Sequence, residues 1–310
     1  MLKELSKEFN VKYLGKLENF LGCKIIENKQ KDTIYIHQPK LIKNLNSTFK
    51  KYIGHVRNHK TPAGPKTSIT RPQKGDPLIS PEKQQLFRSG VGMLLWLVKH
   101  SRPDISNAVR ELSKVADGAT EGHWKELMRA INHVLNTEGL ALKIKPIKNG
   151  IMFYLEGISD SNFAEDKETR ISVFGYIVYF CGAPVAWKSK SGKSVTLSST
   201  EAEYFAISEV AKEILFIRQI LESIGIKIQY PIVIKVDNIG AMFLCNNFST
   251  SQRTKHIDIR QHFVRGYIED DILKVVFVRS EDNDADIFTK NVTEDLYIKH
   301  SSKMVEIPPK

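Results

Sequence analysis

Residues 198–207 read SSTEAEYFAI, and they place two glutamates, Glu201 and Glu203, two positions apart where a helix begins. From Glu203 the residues Ile207, Val210, Ile214, Ile217 and Leu221 follow at intervals of 4, 3, 4, 3 and 4, which is one stripe on one helical face. That stripe is apolar except at its first member. A carboxylate in line with a buried seam is costly to desolvate unless a cation or a polar site receives it. Glu201 points about 200° away around the same helix. It also has a structural role open to it, because Ser198-Ser199-Thr200-Glu201 fits the capping box that satisfies free amides at a helix start. Glu203 is therefore the candidate for chemistry, and Glu201 the candidate for capping.

Working outward, the helix predicted from Ser199 to about Ile224 follows three period-two segments, IMFYLEGISDS, SVFGYIVYFCG and APVAWKSK, joined by glycine-containing turns. After it come the short apolar strand YPIVIKVDN, helical IGAMFLCNN and TKHIDIRQHFVRGYIEDD, strand LKVVFVRS, and a last helix expected to begin near Asp284. The order β-β-β-α-β-α-α-β-α, hairpins first and crossovers later, predicts an α/β fold: a mixed sheet with helices on its faces. Upstream the pattern differs. Two apparent strands, NFLGCKIIE and TIYIH, precede helical QPKLIKNLNSTF. Residues 61–81, TPAGPKTSITRPQKGDPLISP, are too rich in proline and glycine for regular structure. Helices over Gln84–His100, after SRPD (with Ser101 or Asp104 as cap), and over EGHWKELMRAINHVLNT complete a mainly helical first part. The change of pattern near Lys145–Gly150 divides the chain into residues 1–148 and 149–300.

Composition narrows the function classes. The 310 residues, 41% hydrophobic, suffice for two cores, and a net charge of +11 with a pI near 9.3 favours polyanionic partners, nucleic acid first. Cys23, Cys181 and Cys245 are far apart and form no CxxC pair, which argues against a disulfide framework or a structural zinc and for a reducing compartment. His55 and His59 have the helical spacing of metal ligands but no acidic or thiol partner nearby. No apolar run approaches the ~20 residues of a membrane span, and the charged N-terminus MLKELSKEFN is unlike a signal peptide, so a soluble protein without a membrane partner is expected.

Further acids stand where strands or helices end. Asp160 closes GISDS and Asp237 closes VIKVDN; in an open sheet, ligands gather outside strand ends. Each has a plain alternative as a turn or cap residue. Asp237 resists it, following a run of largely apolar residues. In RSEDNDADIFTK, Asp282, Asp284 and Asp286 compete for a fourth place. A group of acids without histidine or cysteine suits a hard, oxygen-seeking cation such as Mg²⁺ rather than zinc. Two such ions about 4 Å apart serve phosphodiester chemistry.

At this point the segments SDSNFA, SSTEAEYFAI, VDNIGAM, RTKHIDIRQHF and DADIFTK resemble the ribonuclease H domain of copia-type retrotransposon polyproteins, in order, across residues 150–292. Upstream, FLGCKI, IYIHQPKLIKNL, KTPAGP, FRSGVGMLLWLVKHSRPDI and HWKELMRAINHVLNTEGLAL are similar to the region after the polymerase core of the same polyproteins. The resemblance implies a ribonuclease H-like fold with a D-E-D-D set: Asp160, Glu203, Asp237 and Asp286 as both catalytic and metal-binding residues, with two Mg²⁺ ions or Mn²⁺ in their place. It implies endonucleolytic cleavage of the RNA strand of an RNA–DNA hybrid, leaving a 3′-hydroxyl and a 5′-phosphate. It also implies the rest of a Pol polyprotein as partner, and cytoplasmic virus-like particles, with the nucleus, as location. The alternative is a non-catalytic nucleic-acid-binding remnant of a decayed element. A transposase or integrase of related fold fits less well, because the glutamate comes last in their D-D-E order and second here.

Two departures from the family stand out. No aromatic-x-Asp-Asp polymerase hairpin is present, and YIEDD at Tyr267–Asp271 has one residue too many and ends a helix, so no polymerase activity is expected. The loop VRSEDND also lacks the mobile histidine of cellular and retroviral ribonucleases H. For substrate, AWKSKSGKS offers Trp187, Lys188, Lys190 and Lys193. With Arg170, Arg253 and Lys255 these could follow phosphates. Asn162, Ser199 and Asn238 are placed to read 2′-hydroxyls. His256 and Asp258 are a third acid–base pair or, on an apolar-flanked helix, structural.

Overall fold

The computed structural model describes residues 6–12, 15–54, 58–147, 152–246 and 258–309. Among the described residues ten strands form two five-stranded sheets. The first sheet is antiparallel. It begins with β1 (Asn19–Phe20), β2 (Cys23–Asn28) and β3 (Thr33–His37), whose β2–β3 pairing sets Ile26 opposite Tyr35. Helix α1 (Pro39–Ile53) follows. After the irregular 61–80 stretch come α2 (Pro81–His100), α3 (Ser106–Ser113) and α4 (Glu121–Asn136), packed around Phe49, Phe87, Leu94, Leu97 and Leu127.

The expected strands are present, but NFLGCKIIE is not one strand: a turn at Leu21–Gly22, both with positive φ, folds it into the antiparallel pair β1 and β2, and two further strands complete the sheet. In ALKIKPIKNG, which reads in sequence as the mere end of a helical run, the first four residues form β4 (Ala141–Ile144) beside β3. Beyond β4 lies β10 (Val305–Glu306), which brings the end of the chain back to the first half.

The second sheet contains β5 (Leu155–Asn162), β6 (Val173–Phe180), β7 (Ala183–Ser191), β8 (Ile232–Val236) and β9 (Leu273–Phe277). Its order is β7-β6-β5-β8-β9, antiparallel through the two hairpins and parallel from β5 to β8 to β9. Hairpin turns produce the first pairing and helical crossovers the second. Helix α5 (Ser199–Ser223) lies along the sheet, with Ile207, Val210 and Ile214 fully buried and Ile217 and Leu221 at the rim of the same core. The stripe that starts at Glu203 is thus the face α5 turns to the sheet. Helices α6 (Ile239–Asn246) and α7 (Asp258–Glu269) complete that layer. The opposite face carries α8 (Asp286–Thr289), and α9 (Glu294–Ser301) lies beside α8. This is the ribonuclease H-like arrangement that the resemblance implies.

Two local expectations change. The last helix does not start near Asp284. A 3₁₀ turn (Ser280–Asp282) precedes the one-turn helix α8, and α9 follows separately. Asp284 lies buried among Tyr179, His300 and Lys303, which donate to it at 3.1, 2.8 and 2.5 Å. Nor does Ser101 or Asp104 cap α3. The Ser101 hydroxyl donates to Gln38 at 2.7 Å, and Asp104 forms a buried ion pair with Arg102 at 2.8 Å. The three cysteines are free and buried. Among the described residues no helix is long and apolar enough to cross a membrane.

Candidate active site

Four elements converge at one end of the second sheet. The middle strand β5 carries Asp160, α5 carries Glu203 in its second turn, Asp237 follows β8 directly, and α8 begins with Asp286. Each of Asp160, Glu203 and Asp237 offers a carboxyl oxygen, and these three atoms lie within 4.8 Å of one another. Asp160, Glu203 and Asp286 are almost fully buried, whereas Asp237 is partly exposed. Asp286 joins the group through Lys290, whose ammonium is 3.0 Å from Asp286 Oδ1 and 3.7 Å from Asp160 Oδ2.

Each carboxylate is held by a neighbour. Glu203 Oε1 accepts from the Ser161 amide at 3.0 Å and from its hydroxyl at 2.8 Å. Thr289 donates its hydroxyl to Asp160, and Ser280 donates to Asp237 Oδ2 at 2.8 Å. Glu203 Oε2 is buried and has no hydrogen-bond partner among the described residues. Such an atom is costly unless something electropositive meets it.

The electrostatics follow from burial and crowding. Burial pushes the Asp160 carboxyl up to about 7; Lys290 opposes the rise, and the charges of Asp286 and Asp237 add to it. Burial also raises Glu203 well above the usual range, with Asp160 adding repulsion and the Ser161 hydrogen bonds countering it. Asp286 is raised by burial against the pull of Lys290. Burial disfavours the charge on Lys290, yet Asp160 and Asp286 hold its pKa above that of an ordinary lysine. Acids forced together in this way keep protons they would lose in water unless a cation neutralises them. The donors are all hard oxygen atoms, one of them buried and bare, so the set fits a divalent cation of the Mg²⁺ class.

Glu201 behaves as a capping residue. Its amide donates to Ser198 Oγ at 3.1 Å, while its carboxylate reaches past Ser198 to accept from the Leu197 amide at 2.6 Å. The expected substrate residues spread more widely. Asn162 ends β5 and donates to Glu165 at 2.7 Å; Asn238 accepts from the Ala241 amide at 2.9 Å, which caps α6. Ser199 is exposed at the start of α5, and Lys188 is exposed on the edge strand β7. Lys190, on the same strand, is 3.5 Å from Glu209 of α5. Arg253, Lys255 and His256 lie outside the described residues.

Sequence reasoning missed Ser161, Ser280, Thr289 and Lys290. For the last two a signal existed in DIFTK: positions three and four after Asp286 share its helical face.

No family model matches the chain. The retrovirus-related Pol polyprotein from transposon TNT 1-94 of Nicotiana tabacum is 32% identical over 294 residues, covering 93% of this chain and 21% of that protein. That from transposon RE1 of Arabidopsis thaliana is 34% identical over 311 residues, covering 99% and 20%. The chain thus spans about a fifth of the length of these relatives. Among solved structures, an RNase H1 isolated from compost by a metagenomic approach is similar at 13% identity and a TM-score of 0.35, covering 44% of this chain and 92% of that one, a match too loose to add to the topology. With relatives at this identity along nearly all of its length, the chain belongs to the retrovirus-related Pol polyproteins of transposons.

Proposed function

We propose that this chain hydrolyses the RNA strand of RNA–DNA hybrids endonucleolytically, as the ribonuclease H part of a retrotransposon Pol polyprotein. The observation that carries the reading is the meeting of the Asp160, Glu203 and Asp237 carboxyl oxygens within 4.8 Å, with one buried glutamate oxygen bare. Bound at that set and Asp286, a pair of Mg²⁺ ions, or Mn²⁺, supplies activation of a water as nucleophile and neutralisation of charge on the leaving oxygen.

The chain's own residues do the rest. Ser161 fixes the Glu203 carboxylate by two hydrogen bonds to Oε1, so the side chain holds one orientation without a search through rotamers. Thr289 and Ser280 orient Asp160 and Asp237 in the same way. Lys290 neutralises part of the acid charge at rest. For substrate, Lys188, Lys190, Arg253 and Lys255 are assigned to phosphates and Asn162, Ser199 and Asn238 to the 2′-hydroxyls of the hybrid, with His256 as a further substrate contact.

The test is cleavage of a labelled RNA–DNA hybrid with Mg²⁺ by the wild-type chain and by Asp237→Asn. Cutting by the wild type alone supports the reading. Silence of the wild type moves the assignment to a non-catalytic nucleic-acid-binding remnant, and equal cutting by both removes Asp237 from the mechanism.

A further inference from the structure

The helix that carries Asp286 is one turn long. Four residues cannot hold themselves helical in water, so tertiary contacts must fix both ends of α8. At its start, Asn283 accepts from the Ala285 amide at 3.0 Å and donates to the Ser159 carbonyl of β5 at 3.1 Å. Both contacts lie within the second half of the chain. At its end the arrangement is different. The Lys290 amide closes the helix by donating a hydrogen bond to the Asp286 carbonyl at 3.1 Å, and the next residue, Asn291, is hydrogen-bonded by the first half.

Three hydrogen bonds make that attachment. Asn107 of α3 donates its side-chain amide to Asn291 Oδ1 at 3.0 Å; Asn291 Nδ2 donates to the Thr67 carbonyl at 2.7 Å; and the Lys66 amide donates to the Asn291 carbonyl at 2.8 Å. Asn107 is buried and is itself held by Arg110 at 2.6 Å, whose guanidinium also donates to Ser189 and Ser191 of β7. Lys66 has φ +57°, a left-handed conformation that lysine adopts at a cost. A strained turn, kept where its amide meets the residue beside the site, is what a constrained functional element shows.

We infer that Asn107 and the Lys66–Thr67 turn are positioning residues of the nuclease site. By seating Asn291 they set Lys290 against Asp160 and Asp286, so the first half is a working part of the site. This rests on the nuclease reading for its effect on catalysis, and its geometry is testable apart from it. The residues bond Asn291 and act through Lys290.

The experiment uses the full chain and the variants Asn291→Ala and Asn107→Ala. Ser101→Ala, which loses a buried hydrogen bond to Gln38 within the first half, serves as control. Two quantities are read: kcat and KM on a labelled hybrid, and the acetylation rate of Lys290 relative to exposed Lys188 by peptide mass spectrometry without divalent ions. Loss of positioning is expected to lower kcat about tenfold, the scale of lost supporting contacts around a metal site, with KM little changed. Lys290, released from its acids, should acetylate several-fold faster. Asn291→Asp keeps the acceptor for Asn107 and loses the donor to Thr67, so it should fall between Asn291→Ala and wild type on both measures.

Ser101→Ala should lower the melting temperature without moving kcat or Lys290 labelling. Variants that melt lower while labelling and turnover stay at wild-type values overturn the inference, leaving Asn291 a plain structural contact. If the wild type makes no product, the nuclease reading fails. The labelling then decides alone: faster Lys290 acetylation in both alanine variants upholds the positioning role, and an unchanged rate ends it.

Discussion

The amide and the hydroxyl of Ser161 both donate to one oxygen of Glu203, at 3.0 and 2.8 Å, and the other oxygen is left buried and bare. The pair is a device for aiming charge, since the first oxygen is used up in fixing the second. It also makes Glu203→Gln a clean substitution, because the glutamine carbonyl can accept the same two hydrogen bonds and only the charge is lost. Cleavage of a labelled hybrid should be abolished. Without divalent ions the same variant should melt higher than wild type, since a buried acid beside Asp160 and Asp237 is removed. Glu201→Gln should cut normally and lose about 1 kcal/mol from a weakened helix start. Kinetics and urea melts of both proteins check this, and the reverse ranking would assign the chemistry to Glu201.

Stability of the ion-free protein should fall as pH rises. An acid whose folded pKa exceeds its unfolded value binds its proton more tightly when folded. Folding is therefore favoured below the unfolded value, and the advantage is lost as pH climbs through the folded one. For Asp160 that window runs from about 4, the ordinary aspartate value, to about 7, and Glu203 and Asp286 shift in the same direction. Millimolar Mg²⁺ should then raise the melting temperature at pH 8 far more than at pH 5, since only the ionised acids gain from it. Equal gains at both pH values would mean that the ion binds elsewhere.

How much of this was legible in the sequence differs residue by residue. Glu203 stood out because it begins an otherwise apolar stripe, and the long α5 was readable because its 25 residues repeat one period. Asp237 was visible at the end of a short apolar strand. Asp286 was not separable from Asp282 and Asp284 by spacing; the resemblance selected it, and the structure places Asp284 instead in a buried cluster with His300 and Lys303. Strands β4 and β10 left no trace, because segments of four and two residues carry no period. Lys290 was passed over because a lysine after a helix reads as a solvated charge, and only the fold brings Asp160, 130 positions earlier in the chain, to within 3.7 Å of it.

The two halves are also tied by Arg102 and Asp104 of the first and Tyr297 of α9. Arg102 pairs with Asp104 at 2.8 Å with both side chains buried, and the Tyr297 hydroxyl donates to Asp104 at 2.8 Å. Removing one member of a buried ion pair leaves the other charge unmet, at a cost of about 3–5 kcal/mol. Asp104→Asn should lose that much in urea unfolding. Tyr297→Phe should cost less, about 1–3 kcal/mol, since only a hydrogen bond to the acid goes. A small loss in both would show the network to be dispensable for stability.

Gly175 lies opposite Asp160 in the β5–β6 register, and α8 packs directly on it. A Cβ there would stand 2.7 Å from Phe288 Cβ, 2.7 Å from Thr289 Cγ2 and 3.1 Å from the Phe288 carbonyl carbon. Two of those three atoms are too close to tolerate, and one of the three is backbone, so Gly175→Ala must push α8 off the sheet. That moves Asp286 and takes the Thr289 hydroxyl from Asp160. At Gly157, by contrast, the new methyl would meet Ile214 Cδ1 at 2.6 Å and Val210 Cγ2 at 2.9 Å, the ends of side chains that can rotate. Both substitutions overpack the core and should cost about 1–3 kcal/mol. Only Gly175→Ala should also lower the single-turnover cleavage rate, measured where both variants remain folded. A normal rate from Gly175→Ala, at a measured loss of stability, would show that the site tolerates displacement of α8 and that the fourth acid is not needed where the fold holds it.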